Sequence, residues 1–575
     1  MNKVTRINLT ELDQYITGKC GGKEFYFGCW SPEPHEFNTG SAPRYFQIER
    51  GKNWIAIRNG ADTVDGLLFP SENSDDPALI IFRGYLSEAS INTYTQANRV
   101  RDYWSNGLLK RHNGIFSALR ISSCGNELSI ITDIFGMSPI YVRKIGKLIF
   151  FSSTPALLSL QDDKPNMVAS FLRITNGYIP ARDTLVEAVE MAQEACITTY
   201  TKSGKSIEKW YDYEAFPKGE EAVSDLSLDL SEQKLATAIE RCQTVQFGEV
   251  ILPLSSGYDS RRLFAHLEKS KTQFSACTVQ SLMERGFDVE ADCAMQIAKD
   301  YNINIKLFKY PTPEEWHEKD IQRIFSMDGQ CQVHTWSVPL FTYYDKLKCS
   351  FYDGTGGDIF GFNDWVFRGH LEKIIPHKIP LILKKDFFPE PKQMEQLLRK
   401  RKTSQPAGNN QNLLTFALWQ TRKSSILWGQ QQSKPGHIFL YPYLDLDYME
   451  TMLRFSLEDN VINRPQKAIL YKYWPKLAAY RGSREMPDNA KNSLDLRVRN
   501  THYSRKEIIR KALSLKSGKN IDYIFSFYAK CYLFIAQFIT IPKYPSWWLR
   551  PSAEFIFWWK SRPLIIGPDK KDIMK

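Results

Sequence analysis

The sequence predicts two folded domains and a helical tail: an α+β first domain built on a β-sandwich, an α/β second domain with a parallel sheet, and C-terminal helices. Short β-rich runs fill the first part, strands alternate with helices in the second, and aromatic and basic side chains crowd the third. We place these parts at residues 1–215, 230–500 and 503–575.

In the first part, the strand predictions depend on apolar or aromatic runs that are bounded by Gly, Asn or Asp. These runs cover residues 24–27, 79–82, 128–131 and 148–151. Residues 218–230 are acidic and polar, which indicates a linker or the approach to a helix.

In the second part, three predicted strands alternate with predicted helices, and this alternation implies a parallel sheet with helices on both faces. The strands lie at 250–254, 274–279 and 303–308, and the helices at 232–242, 261–269 and 289–301. Residues 360–500 read as mainly helical.

Composition places the chain among ordinary globular proteins. Hydrophobic residues make up 43% and charged residues 24% of its 575 residues, which excludes a disordered or fibrous chain. Ten cysteines without a CxxC pair give neither a disulfide scaffold nor a zinc pattern. The N-terminal residues lack the apolar core of a secretory signal, so we expect reduced thiols in a cytoplasmic protein.

The positive charge is concentrated at the C-terminus. The net charge is +11, and residues 503–575 hold 14 Lys and Arg against 5 Asp and Glu, a net +9 that leaves +2 for the rest. An enzyme acting on nucleic acid would carry its excess near the catalytic motifs. We therefore expect no nucleic acid as a partner; a tRNA-modifying enzyme is the alternative, which salt-sensitive RNA binding would support.

The segment 254–260, LSSGYDS, lies between a predicted strand and a predicted helix. Its small residues let backbone N–H groups approach an anion, and the helix start favours negative charge. Asp259 would repel a phosphate directly, so its expected role is to hold Mg²⁺ against one. The alternative interpretation is an ordinary strand-to-helix turn with serines as caps.

Two later segments accompany this loop: YDGTGGD at 352–358, and FLYPYLD at 439–445 before an amphipathic helix at 448–455. Together the three resemble the synthetase domain of the asparagine synthetase family, which has an S-G-G-x-D-S loop, an S/D-G-x-G-x-D turn and a P-F-L-D segment in this order. Here Ser256 stands where that loop has its first Gly.

The first half resembles the glutaminase-type domain of the same family. The matching segments are HNGIFS at 112–117 and DIFGMSPIY at 133–141. The resemblance covers about residues 80–500. It implies a sandwich of the Ntn-hydrolase type followed by an ATP-pyrophosphatase domain, in a ligase that activates a carboxylate as an acyl-adenylate, releases pyrophosphate and lets an amine attack.

The resemblance also implies site residues, with ATP and Mg²⁺ as cofactors. The pyrophosphate would lie against Ser255, Ser256, Gly257, Asp259 and Ser260. Mg²⁺ would be held by Asp259 and Asp358. The nucleoside would contact Leu254, residues 276–278 with Thr278, Asp353 and Gly354. Asp445 is interpreted as structural.

Catalytic candidates are Thr355, Lys467 and Lys491. Either lysine could stabilise amide formation; the alternative, which is the commoner role of such a lysine, is a solvated side chain at the surface. Asparagine synthetases carry Glu where this chain has Thr355, and β-lactam-forming relatives use Tyr with a Glu upstream of P-F-L-D, where Ile438 stands beside His437. Amidation of free aspartate is therefore doubtful, and His437 is either a base or structural.

Glutaminases of this family use a mature N-terminal Cys as nucleophile. This chain begins with Met1, and its first thiol is Cys20. We therefore predict that glutamine hydrolysis is lost and that the first domain serves as a scaffold.

The tail contains an apolar, aromatic stretch at 523–541 with a single charge, Lys530, followed by tryptophans among cations. Such a pattern suits a membrane interface. The central lysine argues against spanning. The alternative is a helical appendage packed on the second domain or on a partner.

The leading hypothesis is an ATP-dependent amide-forming ligase that takes a small-molecule, glycan or peptide carboxylate and an amine donor. Surface-polysaccharide modification and closure of peptide or β-lactam rings are the substrate classes of such relatives. The alternative is a catalytically weakened binding or assembly subunit. A homodimer and a peripheral position on the inner face of the membrane are further expectations.

Overall fold

The computed structural model describes residues 4–59, 67–68, 78–87, 113–176, 179, 182–211, 217, 219, 221–280, 289–309, 311–331, 335–357, 432–456, 459–460, 463–480, 496–516, 524–539 and 548–568. The described strands are β1 (Val4–Ile7), β2 (Tyr26–Trp30), β3 (Glu36–Asn38), β4 (Phe46–Arg50), β5 (Trp54–Asn59), β6 (Leu67–Leu68), β7 (Leu79–Leu86), β8 (Gly114–Ile121), β9 (Glu127–Thr132), β10 (Tyr141–Ile145), β11 (Leu148–Ser152), β12 (Glu190–Met191), β13 (Cys196–Thr201), β14 (Gly204–Lys209), β15 (Glu249–Pro253), β16 (Ser275–Val279), β17 (Ile305–Phe308), β18 (Cys349–Tyr352), β19 (His437–Leu440) and β20 (Ile566–Pro568).

The described α-helices are α1 (Leu9–Asp13), α2 (Met167–Asn176), α3 (Asp225–Gln243), α4 (Tyr258–Lys269), α5 (Val289–Asp300), α6 (Pro313–Ser326), α7 (Val338–Tyr343), α8 (Leu446–Met452), α9 (Arg464–Tyr473), α10 (Pro475–Ala478), α11 (Leu496–Ser514), α12 (Phe527–Ala536) and α13 (Leu549–Ser561).

Two antiparallel sheets form the first half of the protein. Their strand orders are β12-β10-β11-β2-β5-β4 and β14-β13-β9-β8-β7-β6. One face of each sheet contributes to a shared apolar layer that includes Trp30 and Phe151 from the first sheet and Leu119 and Ile130 from the second. Alternating side chains point to opposite faces of a strand. The outer face of the second sheet therefore remains available, and Phe116 and Ile131 use it to join the core of the second half.

A five-stranded parallel sheet forms the second half, with the order β17-β16-β15-β18-β19. All four strand pairings are parallel. The predicted alternation of strands and helices is confirmed, and the observed bounds lie within a few residues of the predicted ones, except that α3 begins at Asp225. The strand order reverses between β15 and β18, so the loops that follow these two strands leave toward opposite sides of the sheet.

The tail is packed into the fold. Strand β20 pairs antiparallel with β1, with Ile566 opposite Ile7. Helix α13 is almost completely buried, and Trp558 and Trp559 lie in a core with residues of α1, α2 and α6. The tail is therefore packed on the protein, as the appendage interpretation expected, but α13 lies against elements of the first half as well as against α6 of the second. In the described part of the chain, no helix has both the length and the apolar character that crossing a bilayer requires.

Buried charges join the tail to α6 and α2. Glu554 on α13 accepts hydrogen bonds from Arg323 at 2.6 Å, Arg173 at 2.5 Å and Arg550 at 2.8 Å. Asp320 accepts from Arg323 at 2.7 Å and from Arg550 at 2.9 Å. Burial alone would raise the pKa of Asp320, but the Arg550 and Arg323 guanidinium groups hold it well below its ordinary value. Asp320 thus stays ionised inside the protein.

We predict that Glu554→Ala destabilises the protein severely. The change leaves arginines buried without their carboxylate, which costs roughly 3–5 kcal/mol. A fall in the urea or thermal unfolding midpoint measures this loss. The control is Glu33→Ala, which breaks the exposed pair with Lys147 and should change the midpoint little. Equal midpoints for the two variants would contradict the assignment of this network as a structural joint.

Candidate active site

The loop at 254–257 connects β15 to α4. It is fastened at its base because the Leu254 N–H donates to the Cys277 carbonyl on β16 at 2.8 Å. Within the loop, Ser255 N–H donates to Ser260 Oγ at 3.1 Å and Gly257 N–H donates to Ser255 Oγ at 3.1 Å. Gly257 is the N-cap of α4 and supplies no side-chain cap. The loop therefore has the compact, serine-rich form that the sequence suggested.

The structure brings the three sequence segments together. A side chain at Gly357 would collide with the Asp259 carboxylate, so the 353–357 turn lies directly against the first loop. A Cβ at Gly356 would lie 2.7 Å from Leu444 Cδ2, so the same turn also contacts the third segment. Tyr443 completes the contact because its hydroxyl donates to the Asp259 carbonyl at 2.8 Å.

The turn at 353–357 has its own internal hydrogen bonds. Asp353 Oδ1 accepts from the Thr355 N–H at 2.8 Å and from the Thr355 hydroxyl at 2.6 Å. Asp353 N–H donates to the Leu440 carbonyl at 2.9 Å, which fixes the turn to the end of β19. Gly356 has φ +104°, a backbone conformation that residues other than glycine rarely adopt. Thr355 thus holds the turn through Asp353.

Arg262, one position beyond Arg261 on α4, ties the elements below the site. Its guanidinium donates to Glu232 on α3 at 2.8 Å, to the Tyr448 hydroxyl at 3.2 Å and to Gln466. Gln466 in turn donates to the Gly357 carbonyl at 3.2 Å. Burial by itself would raise the pKa of Glu232, yet Arg262 and the His266 ring hold it at about 2.

Sequence reasoning missed Glu290, which lies in the first turn of α5. Its Oε2 accepts from the Ser256 N–H at 2.8 Å and from the Ser256 hydroxyl at 2.7 Å. An internal carboxylate therefore occupies donors that the sequence analysis assigned to a phosphate. The signal available in the sequence was positional, since α5 follows β16 and thus begins near the carboxyl end of the neighbouring strand.

The remaining predicted residues are placed as follows. Thr278 is buried near the end of β16. Lys467 is exposed on α9, with its Nζ 5.7 Å from the centre of the Tyr471 ring. Asp358 and Lys491 lie outside the described residues. Among the described residues, no group of three or more His, Cys, Asp or Glu could hold a metal ion.

His437 and Asp445 act in the structure as fastening points. His437 Nδ1 accepts from the Lys434 N–H at 3.3 Å, and Nε2 lies 2.8 Å from the Tyr344 carbonyl. Burial lowers the pKa of His437 to about 4. Asp445 caps α8 and pairs with Arg241 at 2.9 Å. The His437 ring is thereby bonded to the backbone and the Asp445 carboxylate to a cation and the backbone of α8, which supports the structural interpretation of each.

Cys20 is completely enclosed in the first half. It is 1% exposed and follows the π-helical turn Gln14–Lys19. Burial raises the pKa of its thiol to about 12. Since the thiolate is the nucleophilic form of cysteine, this side chain is poorly suited to attack glutamine.

We predict that the His437 ring stays neutral, with a proton on Nε2, down to about pH 4. The native state then binds fewer protons than the unfolded chain between pH 6.5 and 4, so this residue lowers the unfolding free energy as the pH falls through that window, by about 3 kcal/mol in total. NMR of the ring nitrogens, assigned with His437→Gln, measures the titration. A His437 midpoint near 6.5 would contradict the buried hydrogen-bonding pattern.

Comparison with known proteins gives no sequence match: no family model matches the chain, and no curated protein does. Several solved structures align with part of it, among them the following two. An allosteric regulatory enzyme of purine biosynthesis has 10% identity and a TM-score of 0.21, over 53% of this chain and 78% of its own. A glutamine phosphoribosylpyrophosphate amidotransferase from B. subtilis has 10% identity and a TM-score of 0.20, over 61% and 74%. These values are too low to assign the chain to either enzyme.

Proposed function

We propose that this chain is an ATP-dependent ligase that activates a carboxylate as an acyl-adenylate, releases pyrophosphate and forms an amide with an amine. One observation carries the proposal: the three segments that prompted the resemblance, although separated by up to about 190 residues in the sequence, touch at the reversal of the parallel sheet. In open α/β sheets, ligands bind at the carboxyl ends of the strands beside such a reversal.

The chemistry of these residues suits a polyphosphate. Ser255 and Ser260 offer hydroxyl groups, and the first turn of α4 presents backbone N–H groups and the positive end of the helix dipole. These groups would hold the departing pyrophosphate, whose growing negative charge needs donors that are already in position. The backbone at Leu254, around residues 276–278 with Thr278, and at Asp353 and Gly354 remains the proposed contact for the nucleoside.

The Asp259 carboxylate would help to hold Mg²⁺, and when bound this ion would neutralise charge on the phosphates. The fit is supported by position: Asp259 lies against Gly357, and the second proposed ligand, Asp358, is the next residue in the chain. Position 355 supplies no base here because the Thr355 hydroxyl donates to Asp353. Lys467 and Lys491 stay the proposed cations for the amide-forming step.

The proposed acceptor is a glycan or peptide carboxylate rather than free aspartate, because the residue that asparagine synthetases carry at position 355 is absent. The amine is proposed to come from outside the chain. Cys20 is buried with a raised pKa, which supports a first domain that packs and positions the second without hydrolysing glutamine.

A second candidate is a binding or assembly subunit that keeps the fold without turnover. It is favoured by Glu290, whose carboxylate already occupies the Ser256 N–H and hydroxyl. A bound phosphate would have to share or displace those contacts. The two candidates differ in one measurable quantity: both bind ATP, and the ligase alone releases pyrophosphate in response to a carboxylate.

We predict that Asp259→Asn lowers carboxylate-dependent pyrophosphate release by about 100-fold or more, since it removes a preorganised charge from the site. The measurement is a coupled pyrophosphate assay with ATP, Mg²⁺ and a panel of glycan and peptide acids. The matched control is Asp225→Asn, an exposed carboxylate that pairs with Lys472 at the start of α3, and this variant should keep normal rates.

The ligase proposal fails if the unmodified chain binds ATP but releases no pyrophosphate with any acid of the panel, and the subunit candidate then stands. It also fails if Asp259→Asn retains the normal rate while the protein remains folded.

We predict further that the purified chain releases no glutamate from glutamine at turnover rates, and that Cys20→Ala leaves ammonium-dependent amide synthesis unchanged. The physical reason is that a buried thiol with a pKa of about 12 is protonated at neutral pH. Glutamate release measured by an enzyme-coupled assay checks this. Release that disappears in Cys20→Ala would show that the thiol is reached and used.

A further inference from the structure

Helix α12 turns an apolar face to solvent. Phe527 is 81% exposed and Phe534 60% exposed, and the other members of the face are between 42% and 60% exposed. Soluble proteins rarely leave a contiguous group of large apolar side chains uncovered without a use for it. We call this group the α12 face; it consists of Phe527, Tyr528, Phe534, Ile535, Phe538 and Ile539.

The opposite side of α12 holds the helix flat on the protein. Ala529, Leu533 and Ala536 are buried, and they belong to the core that also contains residues of α11 and α13. The helix has ten residues, about half the number needed to cross a bilayer. It is therefore suited to lie along a surface with one face inward and the other available.

An apolar cavity of about 440 Å³ adjoins the face. Leu513, Phe525 and Ile556 form part of its wall, and Lys530 also lines it. A recess of hydrocarbon side chains with an ammonium group at its side matches the two ends of a phospholipid, an acyl chain and a phosphate.

Cations lie beside the α12 face. The Arg510 Nε donates to the Gln537 carbonyl at the end of α12 at 3.1 Å, and Arg510 also pairs with Glu507. Lys530, on α12 itself, lines the cavity. Basic side chains therefore adjoin the apolar face.

We propose that the α12 face docks on an anionic phospholipid bilayer, with its aromatic and aliphatic side chains in the interfacial layer and the cations Lys530 and Arg510 on the lipid phosphates. Aromatic rings beside cations are the composition of membrane-interface segments. A second copy of the chain is a poorer occupant because the same cations would face each other across a symmetric contact. The proposal is independent of the ligase function.

The test is sedimentation of the full chain with vesicles of phosphatidylcholine alone and of an equal mixture with phosphatidylglycerol, at low and high salt. Binding is expected with the anionic vesicles and is expected to weaken with salt. The double variant Phe534→Ser with Phe538→Ser should weaken it by about tenfold or more. Lys530→Glu, which reverses the charge beside the cavity, should weaken it chiefly at low salt.

Two matched controls keep the test specific. Ile207→Ser alters an apolar residue on β14 that is 50% exposed, and Lys202→Glu reverses an exposed lysine between β13 and β14; neither should change binding. The proposal is overturned if the full chain ignores anionic vesicles at low salt, or if the Phe534 and Phe538 variants bind as the unmodified chain does. It is also overturned if the unmodified chain self-associates without binding vesicles and the Phe534 and Phe538 variants abolish that self-association.

Discussion

The candidate site depends on one buried cation. Arg262 is 0% exposed, so its charge must be balanced inside the protein, and it is balanced by Glu232 at 2.8 Å. The same guanidinium bonds to Tyr448 and Gln466, which brings α8 and α9 under α4. Gln466 in turn donates a hydrogen bond to the Gly357 carbonyl, so the position of the turn depends on the same arginine. A single arginine therefore sets the distance between the loop that carries Asp259 and the turn that precedes Asp358. Loss of Arg262 would leave the Glu232 carboxylate buried without its partner, which is destabilising. The loop and the turn of the candidate site would then no longer be held at a fixed distance.

The first half of the protein contributes to the same geometry from the other side. Tyr85 accepts a hydrogen bond from the Tyr441 N–H at 2.9 Å, and Asn113 Oδ1 accepts from the Leu446 N–H at 2.7 Å. The segment between these two backbone groups holds Tyr443, whose hydroxyl reaches the Asp259 carbonyl. The antiparallel sheet thus fixes the third segment of the candidate site. This gives a physical reason why the second half needs the first, whatever chemistry the first half carries out.

Secondary structure, which depends on neighbouring residues, could be predicted from the sequence, whereas contacts between residues far apart in the chain could not. The period of apolar residues and the position of turn residues predicted β16 and α5 to within a residue or two, because both features are decided by neighbours in the chain. The segments around Asp259 and Thr355 were found because they are short and contiguous. Glu290 was missed because its contact with Ser256 spans 34 residues, and no local pattern marks a carboxylate that will fold onto a particular N–H. The pairing of β1 with β20 joins the two ends of the chain and was invisible for the same reason.

The tail shows why net charge alone misleads. Its +9 includes cations that the fold uses internally: Arg550 neutralises Asp320 and Glu554, Lys560 donates to the Ala512 carbonyl at 3.0 Å, and Arg562 lies 3.8 Å above the Trp559 ring. These groups fasten α13 and offer little to a partner. Among the described residues of the tail, Arg510 and Lys530 lie instead beside the exposed aromatic side chains of α12. The described part of the tail therefore divides into a buried joint, where cations pair inside the protein, and an outward face, where cations and apolar side chains lie together. Because of that separation, the packing of α13 and the proposed membrane contact of α12 are compatible.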